Sequence, residues 1–394
     1  MKPIYLDHSA TTPIRPEVLE AMFPYFSDIF GNASSIHTFG QKAKKALEDS
    51  REKAASILGA LPEEIVFTSG GTEANNLAIK GKLGASRDKG THIITSSVEH
   101  AATLNTCRYV EREGVQVTYL PVDNFGKVDP GDVEKAITDR TALISIIHAN
   151  NEVGTIEPIE EIGEIARDRG VSLHTDAVQS VGKIPVNVDD LKLDFLSLSG
   201  HKIHGPKGIG ILYVRKGVPF EPLFQGGHHE WNRRPGTQNI PAIVGLAKAM
   251  ELAEEEMEEV SARERSLGDA FWKAIQTQIE GVHLNGHRQD RVPHILNVSF
   301  DSVDAESVIL NLDLKGIAVS TGSACTSGSL EESHVLQAMG LPNTRARGAV
   351  RFSLGRETTE EELDNTTAVL VETINRLRSM SRAHRNRKKE GKLG

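Results

Sequence analysis

Seven short apolar runs, separated by turns and longer helical patterns, dominate the chain up to residue 215. They are EIVFTS (64–69), HIITSS (92–97), VQVTYL (115–120), ALISIIH (142–148), VSLHTD (171–176), FLSLSG (195–200) and GIGILYV (208–214). Strands that alternate with helices imply a mostly parallel sheet covered on both faces, an α/β fold. The segment EEIGEIARDRG reads as one such helix, ending at Gly170. A long charged pattern from Ile243 to about Ile279 reads as one or two helices, with a break near Ser261 left open. After Gly281 the pattern becomes strand (HILNVSF), helix (AESVILNLDLKG), strand, Gly/Ser loop, helix (SHVLQAMG), strand (VRFSLG) and a last helix. Thr358 and Glu361 suit a capping box for that helix. This part reads as a smaller α+β unit.

A chain of 394 residues with a hydrophobic fraction of 38% can bury a large core without staples. Its net charge of −9 gives no global case for nucleic-acid binding. The exception is the segment from Arg382, where six basic residues face one acidic residue. It reads as a solvated, disordered tail, with an acidic partner as the sharper alternative. Two cysteines, Cys107 and Cys325, cannot build a disulfide framework in a chain this long, and a reducing, cytoplasmic setting is expected. The start of the chain reads as having no secretory signal, and no run approaches a membrane span.

In an open α/β sheet, ligands sit beyond the carboxyl ends of the strands. The first run is followed by Gly70-Gly71-Thr72 and a helix pattern, EANNLAIKG. Such a turn offers free backbone N–H groups and a positive dipole end to an anion, although Gly-Gly before a helix is more often a plain tight turn. After later runs come Glu99-His100, Asn150-Asn151, Asp176 with Gln179, and Ser199 with His201 and Lys202. Singly, each reads as a cap, a packed side chain or a surface group; Asp176 alone reads as an N-cap. Their collection at one sheet edge predicts a pocket. Asp176 with Lys202 suggests a cofactor. Pyridoxal phosphate needs a lysine amine for its Schiff base and an acid beside its pyridine nitrogen.

Cys107, in the helix pattern TLNTCRYVE, reads as a small buried hydrophobe. Cys325 differs, because TGSACTSGSLEESH surrounds it with Gly, Ser and Thr, the composition of a mobile surface loop. His228-His229 lack the spacing of a metal site.

The segment SLSGHKIHGPKGIG around Lys202 resembles the cofactor-lysine segment of cysteine desulfurases of the nitrogen-fixation and iron–sulfur-cluster assembly type. The resemblance extends along nearly the whole chain, through YLDHSATTP, GNASSIHTFG, FTSGGTEANN, SSVEH, HANNEVGTI, HTDAVQSVG, RRPGTQN, SGSACTSGS and VRFSLGR. It implies the large-domain/small-domain fold of pyridoxal-phosphate aminotransferases (fold type I), working as a homodimer. Residues 15–255 would form the large domain, and 1–14 with 256–381 the small one. The small domain would carry the cysteine loop at about 321–330, with 382–394 as the basic tail.

The resemblance also implies roles. Lys202 would hold the cofactor, Asp176 would pair with its pyridine nitrogen, and Gln179 and Asn151 would lie near its phenolic oxygen. His100 would stack on the ring, shuttle protons and serve as a base for the thiol. Gly71, Thr72, Ser199 and His201 would hold the phosphate, joined by Thr237 from the partner subunit. Arg351, with Asn151, would bind the substrate, Arg351 at its carboxylate. Cys325 would take the sulfur of L-cysteine as a persulfide, leaving L-alanine, and pass it to an iron–sulfur scaffold protein. It would also serve there as a transient cluster ligand, its only implied metal role. Alternatives are a selenocysteine lyase, another class-V aminotransferase, or a non-enzymatic sulfur relay that leaves Lys202 and Asp176 unexplained.

Overall fold

A computed structural model describes residues 3–86, 91–322 and 333–390, with side chains through Met380. Its strands are β1 (Ile4–Tyr5), β2 (Ile65–Thr68), β3 (His92–Ser96), β4 (Gln116–Leu120), β5 (Thr141–Ile147), β6 (Ser172–Asp176), β7 (Phe195–Ser199), β8 (Gly210–Val214), β9 (Val282–Asn285), β10 (Ile295–Phe300), β11 (Ile317–Ala318) and β12 (Ala349–Ser353). Strands β2 to β8 form one sheet in the order β2-β8-β7-β6-β5-β3-β4. The links between β4, β3, β5, β6 and β7 are parallel, whereas β8 runs antiparallel to both β7 and β2. This is the mostly parallel α/β sheet that the alternating runs predict, with one strand reversed.

The inner apolar runs form strands covered on both faces; β3, β7 and β8 are buried along their whole length, and only the edge strand β4 is largely part-exposed. Polar side chains inside the sheet satisfy one another. His174, fully buried on β6, meets Ser145 Oγ at 2.8 Å and Ser197 Oγ at 3.0 Å. Burial lowers its pKa to about 3, so it is neutral. The helix Ile159–Arg169 ends as expected, with Gly170 in the left-handed conformation (φ 65°) that an L side chain resists.

A second sheet, β12-β10-β9, is antiparallel, and the short β1 pairs in parallel with β11. Ile4 and Leu6 therefore join the core built on this smaller sheet. The chain then crosses to the large sheet, carrying Ser9 and Ala10 to Lys202. The helix Ile240–Gln278 runs unbroken through Ser261 for 39 residues. Its first part, including Leu246 and Met250, packs in the large core, and Phe271 and Ile275 pack in the small one.

The reading above places no strand at Val282–Asn285, a four-residue edge. The capping box falls one residue later than Thr358 and Glu361. Thr359 N donates to Glu362 Oε2 at 3.0 Å, and Glu362 N to Thr359 Oγ1 at 3.2 Å. Thr358 instead accepts from Gly355 N. The last helix continues to Glu390, through the start of the basic segment expected to be unstructured. Arg, Lys and Ala there are strong helix formers, so the pattern propagates. Among the described residues no helix is long and apolar enough to cross a membrane.

Candidate active site

The carboxyl ends of β2, β3, β5, β6 and β7 open into a cavity of about 320 Å³. Gly71, Thr72, His100, Asn151, Asp176, Gln179, Ser199, His201, Lys202 and Arg351 all line it. Thr237 does not; in its own chain it borders a separate cleft with Thr68, Ser69 and Asn239. Cys325 and the rest of 323–332 lie outside the described residues.

Lys202 sits in the single turn Gly200–Lys202 directly after β7. Its Nζ donates to the carbonyl oxygens of Ser9 (2.5 Å) and Ala10 (2.8 Å). Gln179 Nε2 shares the Ser9 carbonyl at 3.0 Å. Asp176 closes β6. Its Oδ2 accepts from Asn75 Nδ2 at 2.6 Å and its Oδ1 from Val178 N at 3.0 Å, which fixes the carboxylate plane at the cavity wall. Residues 178–183 form turns in place of a helix, so the Oδ1–Val178 bond caps a turn.

The helix Gly71–Gly84 points its N-terminus at the cavity. Its first amides have no intrahelical partner, and the helix dipole adds partial positive charge there. A Cβ on Gly71 would lie 2.7 Å from Val178 Cγ2, so only glycine lets this turn approach so closely. A Cβ on Gly71 would also lie 3.7 Å from Ser199 Cβ, which puts Ser199 beside this helix end, and His201 lines the same cavity. Burial, with Lys202 and Lys207 nearby, brings His201 down to about 4, leaving it neutral.

His100 caps the helix Ala101–Arg112, its Nδ1 accepting from Ala102 N at 3.1 Å. An amide N–H can only donate, so the neutral ring carries its proton on Nε2. Burial holds His100 below its ordinary pKa, against the pull of Asp176. It is therefore arranged to donate from Nε2; the thiol-base role would need the other tautomer.

Arg351, on β12 of the small sheet, is 2% exposed. Nη2 pairs with Asp7 Oδ1 at 2.8 Å, and Nη1 donates to the Asn151 carbonyl at 2.8 Å. Among the described residues its Nε is buried with no hydrogen-bond partner.

Sequence reasoning misses Ser9, Ala10, Asn75, Glu152 and His334, all on the cavity wall. Asn75 had a signal, since it lies four residues after Gly71 on one helix face. Glu152 is buried and its pKa is raised by that burial; Ser333 Oγ donates to its Oε2 at 2.5 Å. His334 Nε2 donates to the Glu99 carbonyl at 2.9 Å. Glu152 had a signal too, since it directly follows Asn151, whereas nothing in spacing links His334 to the sheet edge. Cys107 is buried as expected, and burial pushes its thiol up to about 12.

The family model for class-V aminotransferases matches residues 4–366. The chain is 53% identical to the cysteine desulfurase IscS of Dictyoglomus turgidum over 378 residues, covering 96% of each protein. It is also 53% identical to the cysteine desulfurase IscS of Methanosarcina thermophila over 380 residues, covering 96% of this chain and 94% of that one. Among solved structures it is similar to a NifS-like protein, with a TM-score of 0.90 and 39% identity, covering 95% of this chain and 99% of that one. It is likewise similar to SspA in complex with cysteine, with a TM-score of 0.80 and 41% identity, covering 90% and 100%. Matched over nearly its whole length and more than half identical to such relatives, the chain belongs to the class-V aminotransferases, on the cysteine desulfurase branch.

Proposed function

We propose that this chain is a pyridoxal-phosphate-dependent cysteine desulfurase that converts L-cysteine to L-alanine and moves the sulfur onto Cys325. The observation that carries this reading is the convergence on one cavity of the Lys202 amine, the Asp176 carboxylate, the open helix end at Gly71–Thr72 and the Arg351 guanidinium. The residues present fit the cofactor: an amine for its aldehyde, an acid for its ring nitrogen and an anion cradle that a Cβ would fill. When bound, pyridoxal phosphate supplies an electron sink that makes the substrate's Cα–H and C–S bonds breakable.

The chain's own residues do the rest. Arg351 binds and orients the substrate carboxylate through its fork. Lys202 would hold the cofactor through its amine, and that amine is the group placed to take and return the α-proton. His100 donates or relays a proton from Nε2. The Cys325 thiolate attacks the substrate sulfur; the S–S bond forms as the C–S bond breaks. The pair from the C–S bond remains with the β-carbon, which takes up a proton to become the methyl of alanine. The sulfur stays on Cys325 as a persulfide, with no external oxidant or reductant. The acceptor is an iron–sulfur scaffold protein, for which the names of the relatives are the support. The two-domain division at 15–255 and 256–381 with 1–14 belongs to the same reading. So do a homodimer in which Thr237 serves the partner's phosphate and a cytoplasmic setting.

The test is turnover of purified protein with L-cysteine. Equimolar alanine and sulfide are expected in the presence of a thiol reductant, and neither from Lys202→Ala. Cys325→Ser should bind the substrate yet release no sulfide. Full turnover by either variant removes that residue from the mechanism, and a strong preference for selenocysteine would make the enzyme a lyase for that substrate.

A further inference from the structure

Three consecutive residues other than glycine, Glu230, Trp231 and Asn232, take left-handed backbone with φ of 46°, 52° and 64°. L-residues avoid this region, and a run of three persists only where its surroundings enforce it. Here the enforcement is visible. Glu230 is buried, and its two carboxylate oxygens each receive an Arg51 nitrogen at 2.8 Å. Phe67 N donates to the same carboxylate at 3.1 Å. Arg51 Nη1 also donates to the Ile65 carbonyl at 2.6 Å. Its guanidinium lies 4.8 Å from the Phe67 ring centre and 4.5 Å from that of Trp231. The helix Thr38–Leu58, strand β2 and the left-handed turn are thus locked at one point.

A buried ion pair is weak evidence for stability, because desolvation offsets its attraction. What a forked pair supplies is direction. The direction set here is that of the segment leading to Thr237, which is exposed and absent from the Lys202 cavity of its own chain. Arg234, between the turn and Thr237, is tied back to Glu73 at 2.9 Å, in the first turn of the helix that opens at Gly71.

We propose that Arg51 and Glu230 are positioning residues: they hold the Glu230–Asn232 turn so that Thr237 is presented to the cofactor phosphate of a second copy of this chain. This rests on the reading of Thr237 given above. The test titrates apoprotein with pyridoxal phosphate and follows absorbance, comparing the parent, Thr237→Ala, Glu230→Gln, their double variant and Arg51→Lys. Thr237→Ala and Glu230→Gln should each weaken binding about tenfold, the size of one hydrogen bond to a charged group. The double variant should bind no more weakly than Thr237→Ala, since the clamp acts through Thr237. Glu230→Gln should also be cut faster by trypsin after Arg233. Arg51→Lys, which keeps the charge but loses the fork, should give the same pattern and stands in if Glu230→Gln does not fold. Multiplied effects in the double variant, or parent-like binding by Glu230→Gln or Arg51→Lys while Thr237→Ala is weakened, overturn the positioning role. Parent-like binding by Thr237→Ala overturns the Thr237 reading itself, and the clamp's purpose with it.

Discussion

Replacing Gly71 with alanine tests the phosphate cradle without touching a polar group. The added Cβ would stand 2.7 Å from Val178 Cγ2, about 1 Å inside a comfortable carbon–carbon contact. Gly71 is not in the left-handed region, so the cost is space and not backbone strain. The bond from its N–H to Asp176 holds the Val178 backbone, so relief requires the stiff β-branched side chain to leave its rotamer. Overpacking of this kind costs about 1–3 kcal/mol. If the shift is taken up at the helix end, it weakens pyridoxal phosphate binding by roughly 5- to 150-fold. The assay is a titration of apoprotein followed by absorbance, with a melting curve of the apoprotein beside it. Val178→Ala, which removes the atom that clashes, should restore most of the affinity in the Gly71→Ala background. Equal affinity and equal melting for Gly71→Ala and parent would refute the cradle. A loss that Val178→Ala does not rescue would refute the steric cause.

Arg351→Lys keeps a charge but not the fork, so KM for L-cysteine should rise roughly tenfold or more while the cofactor spectrum is retained; an unchanged KM places the substrate carboxylate elsewhere. His100→Ala should lose kcat by roughly 100-fold, and His100→Gln, which retains an N–H donor, should recover part of it; equal losses would deny the Nε2–H a role. Glu99 is fully buried behind the cavity, and that burial pushes its carboxyl up to about 8, against the bonds from Ser96 and Ile147. The folded chain therefore holds a proton that the unfolded chain sheds, so stability falls as pH rises from about 4.5 to about 8 and levels beyond. Glu99→Gln should reduce that slope in melting temperature against pH, leaving the share of Glu157, also raised to about 8 by burial; an unchanged slope would mean that Glu99 is already ionised.

All seven apolar runs become strands of one sheet; six are buried along nearly their whole length and are therefore near-continuous apolar runs, while β4, at the sheet edge, is only partly buried. The reversal of β8 is not legible, since an apolar run carries no direction. The edge strand Val282–Asn285 is too short and too mixed to announce itself. The site divides in the same way. Residues at strand ends, from Gly71 to Lys202, were legible because parallel topology delivers them to one edge. Ser9 and Ala10 arrive by the pairing of β1 with β11, and His334 from a helix after residue 332, so only tertiary contacts bring them to the cavity. His100 shows a different limit: its position was legible, but its tautomer is set by the Ala102 amide.

The central claim is that sulfur leaves L-cysteine in the Lys202 cavity and arrives on Cys325. One measurement meets it directly. A single turnover with L-cysteine, without reductant, is stopped and the protein is digested for mass spectrometry, with alanine counted in the same sample. The account predicts the peptide carrying Cys325 one sulfur atom heavier, in amount equal to the alanine formed. Alanine formed with that peptide unmodified, or the extra sulfur found on Cys107, would contradict it.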